Sequence, residues 1–157
     1  MPNLISRKKK LYFMSMFFNS HHGQGGSRQQ VRLLVLDDVC EETEVLLEVA
    51  EFYHPDFEFS CKVTPDPVEA MEAVKDWEPS VVMIDLHAVK DALQILTQIA
   101  NFGSPVVAIG EKMIPELEQK VRECGGRSYL AKTSNVEGVE DILQLVGSLA
   151  RGTELRH

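Results

Sequence analysis

The sequence predicts an α/β protein with a doubly wound, five-stranded parallel sheet, (βα)5. Two observations predict it. Five short runs of apolar residues recur along the chain, most of them nearly continuous. Between them the apolar residues fall at helical spacing. Strict alternation of strand and helix gives parallel strands joined by crossover helices, which cover both faces of the sheet.

The first strand is Val31-Arg32-Leu33-Leu34-Val35-Leu36, which runs into Asp37-Asp38. The second, Phe57 to Val63, alternates more, with Glu58, Ser60 and Lys62 polar, so it belongs near an edge. Val81 to Ile84, Val106 to Ile109 and Ser128 to Ala131 supply the other three. The helical stripes are Leu46, Val49, Ala50 and Tyr53; Ala70, Ala73, Val74 and Trp77; Ala92, Leu93, Leu96, Ile99 and Ala100; Leu117, Val121 and Cys124; and Val139, Ile142, Leu143, Val146 and Ala150. Each stripe reads as core packing rather than as a cofactor or partner surface.

Punctuation agrees with these limits. Asp66 before Pro67, with Glu69 three residues on, predicts an N-cap with proline at the first helical position. Pro115 opens the fourth helix and Gly125-Gly126 closes it. Ser134-Asn135-Val136-Glu137 reads as a capping box for the fifth.

The domain is expected over residues 31–151, with 152–157 as a short C-terminal tail. Residues 1–30 are expected to be a disordered tail. Arg7-Lys8-Lys9-Lys10 followed by Leu11 to Phe18 resembles the start of a signal peptide, but the apolar part is short and no small-residue cleavage site follows. A start codon called too early, with Met14 or Met16 as the true one, is the other explanation. No apolar run is long enough to span a bilayer. A formal net charge of -8 argues against binding nucleic acid over the whole surface. Three widely spaced cysteines, Cys40, Cys61 and Cys124, make neither a disulfide framework nor a zinc site, and fit a reducing cytoplasm.

Ligands of open parallel sheets bind beyond the carboxyl ends of the strands. There the sequence puts Asp37-Asp38, Asp85, Gly110-Glu111 and Lys132. An Asp-Asp pair after a strand is also ordinary helix-capping chemistry, and a lone lysine is usually a solvated charge. Their joint placement at the ends of several strands is what points further. Carboxylates gathered there repel one another, and a bound Mg2+, which takes hard oxygen ligands and keeps several waters, would relieve this. An aspartate beside it could then attack a phosphoryl donor, with metal and lysine neutralising the transferring group.

From residue 31 to about 150 the chain resembles a response-regulator receiver domain, which has the flavodoxin-like (βα)5 fold. The resemblance rests on Leu33-Leu34-Val35-Leu36-Asp37-Asp38, on Glu78-Pro79-Ser80-Val81-Val82-Met83-Ile84-Asp85-Leu86, and on Gly125-Gly126-Arg127-Ser128-Tyr129-Leu130-Ala131-Lys132. It implies that Asp85 is the phosphoacceptor. It also implies that Asp37, Asp38, Asp85 and the backbone carbonyl of His87 hold Mg2+, that Lys132 contacts the phosphoryl group, and that Tyr129 is the switch aromatic. Three departures stand out. Gly110 occupies the position where the family carries a Ser or Thr hydroxyl. The loop after Asp85 lacks the family's Pro and Gly. Thr133, not proline, follows Lys132.

The resemblance therefore implies a single-domain response regulator of a two-component phosphorelay, not an enzyme. Its partners would be a histidine kinase or histidine phosphotransfer protein and an unidentified output protein. A homodimer could form through the fourth helix, fifth strand and fifth helix. The alternative is a pseudo-receiver that binds proteins independently of phosphorylation. Other chemistries on similar sheets fit less well. A haloacid-dehalogenase-type phosphatase wants Asp-x-Asp where Asp85-Leu86-His87 stands, and a flavin phosphate would be repelled by the acidic residues after the first strand. No Gly-rich nucleotide fingerprint links a strand to a helix.

Overall fold

The computed structural model describes residues 29–38, 48, 52, 55–131 and 136–154. Lys132 lies outside them. So do the expected N-terminal tail up to residue 28, most of the expected first helix, and Ser134 and Asn135 of the expected capping box. Glu48 and Phe52, which fall in that first helix, are both helical.

Among the described residues the continuous elements are, in chain order, β1 (Gln29–Leu36), β2 (Phe57–Thr64), α1 (Pro67–Trp77), β3 (Val81–Asp85), α2 (Ala92–Asn101), β4 (Val106–Gly110), α3 (Pro115–Glu123), β5 (Ser128–Ala131) and α4 (Val136–Glu154). β1 starts two residues earlier than the apolar run, because Gln29 and Gln30 pair with Phe57 and Glu58. The strands form one parallel sheet in the order β2-β1-β3-β4-β5. β2 is an edge strand, as its alternation predicts, and Glu58, Ser60 and Lys62 are exposed.

Side-chain alternation divides the core in two. On one face Val31, Leu33, Val35, Val81, Met83 and Val107 pack with Phe57, Phe59 and with Ile142, Val146 and Ala150 of α4. On the other, Leu34, Leu36, Val82, Ile84, Val106 and Ala108 pack beneath α1, α2 and α3 through Ala70, Val74, Leu96, Ile99 and Val121. The helices thus cover both faces, as double winding requires. No described helix is long and apolar enough to cross a membrane.

Helix ends follow the sequence signals in most places. The Asp66 side chain accepts the N–H of Val68 at 2.9 Å, and Pro67 opens α1. Glu69 does not complete a capping box; its carboxylate takes the hydroxyl of Thr64 at 2.7 Å. At the end of α3, Gly125 adopts φ +98, and the N–H of Gly126 returns to the Val121 carbonyl at 2.9 Å. That is a left-handed glycine stop. α1 ends on Glu78 with φ 50, where a glycine would be the natural choice.

Candidate functional site

β1 lies between β2 and β3, so the chain leaves β1 toward one edge and resumes on its other side at β3. This is the switch point at which open parallel sheets leave a crevice beyond their carboxyl ends. Asp37 follows β1 and Asp85 ends β3. Leu36 is registered with Ile84, so the next residues, Asp37 and Asp85, stand side by side on strands about 4.8 Å apart. By alternation they continue the row of Val35 and Met83 and share a face of the sheet. The N–H of Asp37 donates to the Thr64 carbonyl at 3.2 Å, which extends the β1–β2 pairing by one residue.

Both acids are buried: Asp37 is 7 % exposed and Asp85 4 %. Asp38 is exposed. Asp37 Oδ1 accepts the N–H of Asp38 at 2.7 Å. Asp85 Oδ1 accepts two backbone donors, His87 N–H at 2.8 Å and Ala88 N–H at 3.2 Å. These bonds orient the Asp85 carboxylate and shape the turn after β3. They also show why an aspartate here serves local structure whether or not it does chemistry. His87 is exposed, and the group it is seen to offer Asp85 is its N–H.

The loop after Asp85 lacks glycine, yet it needs one left-handed residue. Asp91 supplies it, at φ 54, just before α2. Aspartate tolerates this region better than most residues. Thr64, buried at the end of β2, was not singled out by the sequence. It donates to Glu69 and accepts the N–H of Asp66 at 3.1 Å, closing the β2–α1 turn. Its only signal is its place after the last alternating residue of the strand.

At the end of β4 the structure changes the meaning of Gly110. Its position is not vacant. The Tyr129 ring lies against it, and the Tyr129 hydroxyl donates to the Lys112 carbonyl. A Cβ built on Gly110 would overlap that hydroxyl and lie 2.8 Å from ring atoms Cε2 and Cζ. Tyr129 is 3 % exposed, and burial raises its phenol above the ordinary value of 10.0. Glu111 and Lys112 are exposed. Lys132, the expected phosphoryl contact, is outside the described residues.

The resemblance of the sequence to receiver domains implies a divalent cation at these strand ends. Among the described residues, no group of three or more His, Cys, Asp and Glu side chains is placed to hold a metal ion. The buried donors are two neighbouring carboxylates, Asp37 and Asp85. That donor set fits Mg2+, which is bound through one or two carboxylates and otherwise keeps water, and it does not suit a metal needing a full protein cage. A cleft of about 520 Å³ elsewhere, along β2 and α1, is lined by Lys62, Thr64, Glu69 and Trp77, with Lys62 Nζ 4.8 Å from the Trp77 ring centre. Neither Asp37 nor Asp85 lines it, and the buried acids make the strand ends the better candidate.

No protein-family model and no curated protein matches the sequence. Solved structures do share the fold. A CheY-like response-regulator receiver domain protein from Methanospirillum hungatei JF-1 superposes with a TM-score of 0.65 at 15% identity, covering 83% of this chain and 100% of that one. The signal receiver domain of a DNA-binding response regulator from Colwellia psychrerythraea 34H gives 0.61 at 23% identity, covering 74% and 98%. The Mn2+-bound form of response regulator Rcp1 gives 0.59 at 19% identity, covering 75% and 92%. The chain therefore has the five-stranded receiver fold.

Proposed function

We propose that this chain is a receiver in a two-component phosphorelay and accepts a phosphoryl group on Asp85. The observation that carries the reading is the burial of two carboxylates, Asp37 and Asp85, side by side at the strand ends. Burying acids together is costly, and the sheet does not need them for packing. The receiver fold of the structural neighbours, one of them bound to Mn2+, supports the same reading.

In this reading a phosphohistidine on a kinase or phosphotransfer protein is the donor. A carboxylate oxygen of Asp85 forms the new O–P bond as the N–P bond breaks. The imidazole leaves with the electron pair and takes up a proton. The backbone N–H groups of His87 and Ala88 hold the Asp85 carboxylate in place. Asp37, Asp38, Asp85 and the His87 carbonyl would hold Mg2+, which supplies charge neutralisation for the transferring group. Lys132 would add a second positive charge. The chain acts in the cytoplasm, catalyses no separate reaction and signals by protein contact.

A second reading is favoured by one observation. The place of a hydroxyl at residue 110 is filled by the Tyr129 ring, so the chain could bind partners without any phosphoryl chemistry.

Intact-mass spectrometry after acetyl phosphate and Mg2+ separates the two. The receiver reading expects one phosphoryl group on the wild type and none on Asp85→Asn. No gain in the wild type, or an equal gain in both, rejects it and leaves the second reading standing.

A further inference from the structure

We propose that Gly110 and Tyr129 form a fixed latch that holds the β4–α3 loop in one arrangement whatever the state of Asp85. The independence from Asp85 rests on Asp85 being the reactive group; the latch itself does not.

Residue 110 is a glycine. The backbone does not require it. The positive-φ glycines among the described residues are Gly103 and Gly125, and Gly110 is not one of them. An alanine or serine backbone would fit at residue 110. What excludes a side chain is Tyr129, whose hydroxyl and ring edge take the volume of a Cβ. The glycine is a space, and the tyrosine is its tenant.

The tenant is held from three sides. Its ring is buried in the core cluster beneath α1, α2 and α3. Its strand, β5, pairs with β4 so that Tyr129 is registered with Ala108 and Ala131 with Gly110. Its hydroxyl donates to the Lys112 carbonyl, two residues past the strand end. Swinging the ring outward would open a cavity over Gly110 and cost the Lys112 carbonyl its partner. With glycine at residue 110, no side chain stands ready to take the vacated volume. A pair of side chains that compete for one space can form a two-state device; a side chain facing a bare backbone has one favoured position.

The pinned loop leads into α3 and carries Met113 and Ile114, which are 54% and 42% exposed. Their presentation is set by the Tyr129–Lys112 bond and not by chemistry at β3. A phosphoryl group on Asp85 would then be carried or passed on without being reported through this face.

Nitration with tetranitromethane, read at Tyr129 by peptide mass spectrometry, tests this. Tyr12 and Tyr53, the other two tyrosines, are resolved as separate peptides. The full-length wild type is compared with Gly110→Ala, each with and without fluoroberyllate, whose occupancy is followed by fluorine NMR. The latch predicts slow nitration of Tyr129 in the wild type, unchanged by fluoroberyllate. It predicts a rate roughly tenfold or more higher in Gly110→Ala, where the ring is displaced into a locally open state. A wild-type rate that shifts when fluoroberyllate binds overturns the independence from Asp85, and an unchanged rate in Gly110→Ala overturns the latch. If fluoroberyllate does not bind, the receiver reading fails while the Gly110→Ala comparison still decides the latch. Should Gly110→Ala not fold, urea melts of Gly110→Ala/Tyr129→Ala replace it. The latch requires that removing the ring restores folding, and a double variant no more stable than Gly110→Ala overturns it.

Discussion

Asp37 stands level with Asp85 across the β1–β3 pairing, one step past the registered pair Leu36 and Ile84. Both side chains are buried, so like charges on neighbouring strands act through a medium less polar than water. In metal-free protein, Asp37→Asn and Asp85→Asn should each raise stability, by about 1–2 kcal/mol, because asparagine keeps the oxygen that accepts the backbone N–H groups and removes the repulsion. Urea unfolding in EDTA measures this. A loss of stability in both variants would mean that the carboxylates are not in conflict.

Mg2+ should close that gap. At ten times its dissociation constant it should stabilise the wild type by about 1.4 kcal/mol, and it should do little for either asparagine variant. NMR shifts of the His87 and Ala88 amides are the direct readout. Trp77 fluorescence should stay silent, because Trp77 ends α1, which runs back from the carboxyl ends of the strands toward the start of β3. Equal Mg2+ stabilisation of all three proteins would place the ion elsewhere.

Burial raises the Tyr129 phenol above 10.0. The folded protein therefore holds this proton at pH values where the unfolded chain has released it. Stability from this group is complete below the ordinary phenol pKa and falls as the pH rises through the higher folded value. Urea midpoints measured from about pH 8 to pH 11 should drop more steeply in the wild type than in Tyr129→Phe. At neutral pH, Tyr129→Phe should cost about 1 kcal/mol for the lost bond to the Lys112 carbonyl. Parallel pH profiles for the two proteins would refute the assignment.

Glu78 closes α1 in the left-handed region, at φ 50, while its carbonyl accepts both Nε and Nη2 of Arg32 at 3.1 and 2.9 Å. Those bonds use the backbone, so they survive substitution. Glu78→Gly should stabilise the protein by roughly 0.5–1 kcal/mol, the relief of left-handed strain outweighing the added freedom of the unfolded chain. A lower urea midpoint would show that the Glu78 side chain has a role of its own.

The Asp66 cap gives a change of opposite sign. Asp66→Ala removes the acceptor of the Val68 N–H and should cost about 1 kcal/mol. Glu69→Gln should cost less, since its partner is the Thr64 hydroxyl rather than the helix cap, and an amide oxygen can accept the same bond.

The strands and helix ends were legible because they depend on local patterns. Continuous runs such as Val81 to Ile84 mark strands covered on both faces, and the alternation in Phe57 to Val63 marks the edge. Asp66-Pro67 and Gly125-Gly126 punctuate helices through backbone chemistry that the residues carry themselves. The side-by-side placement of Asp37 and Asp85 follows once the strand order is known. Gly110 was legible only as a missing hydroxyl. That it makes room for Tyr129 depends on a residue on a neighbouring strand, and no local pattern records it. The same holds for Thr64 and Glu69, whose bond bridges a strand end and a helix start. Asp91 in the left-handed region was hidden because the sequence signal for that conformation is usually glycine.

β2 buries Phe57 and Phe59 on one face and exposes Glu58, Ser60 and Lys62 on the other. A slip of one residue against β1 would turn both phenylalanines to water and drive a lysine and a glutamate into the layer beside α4. The strand thus has a single docking register despite having a neighbour on just one side. Misaligned forms are penalised by the strand's own alternation of apolar and polar residues.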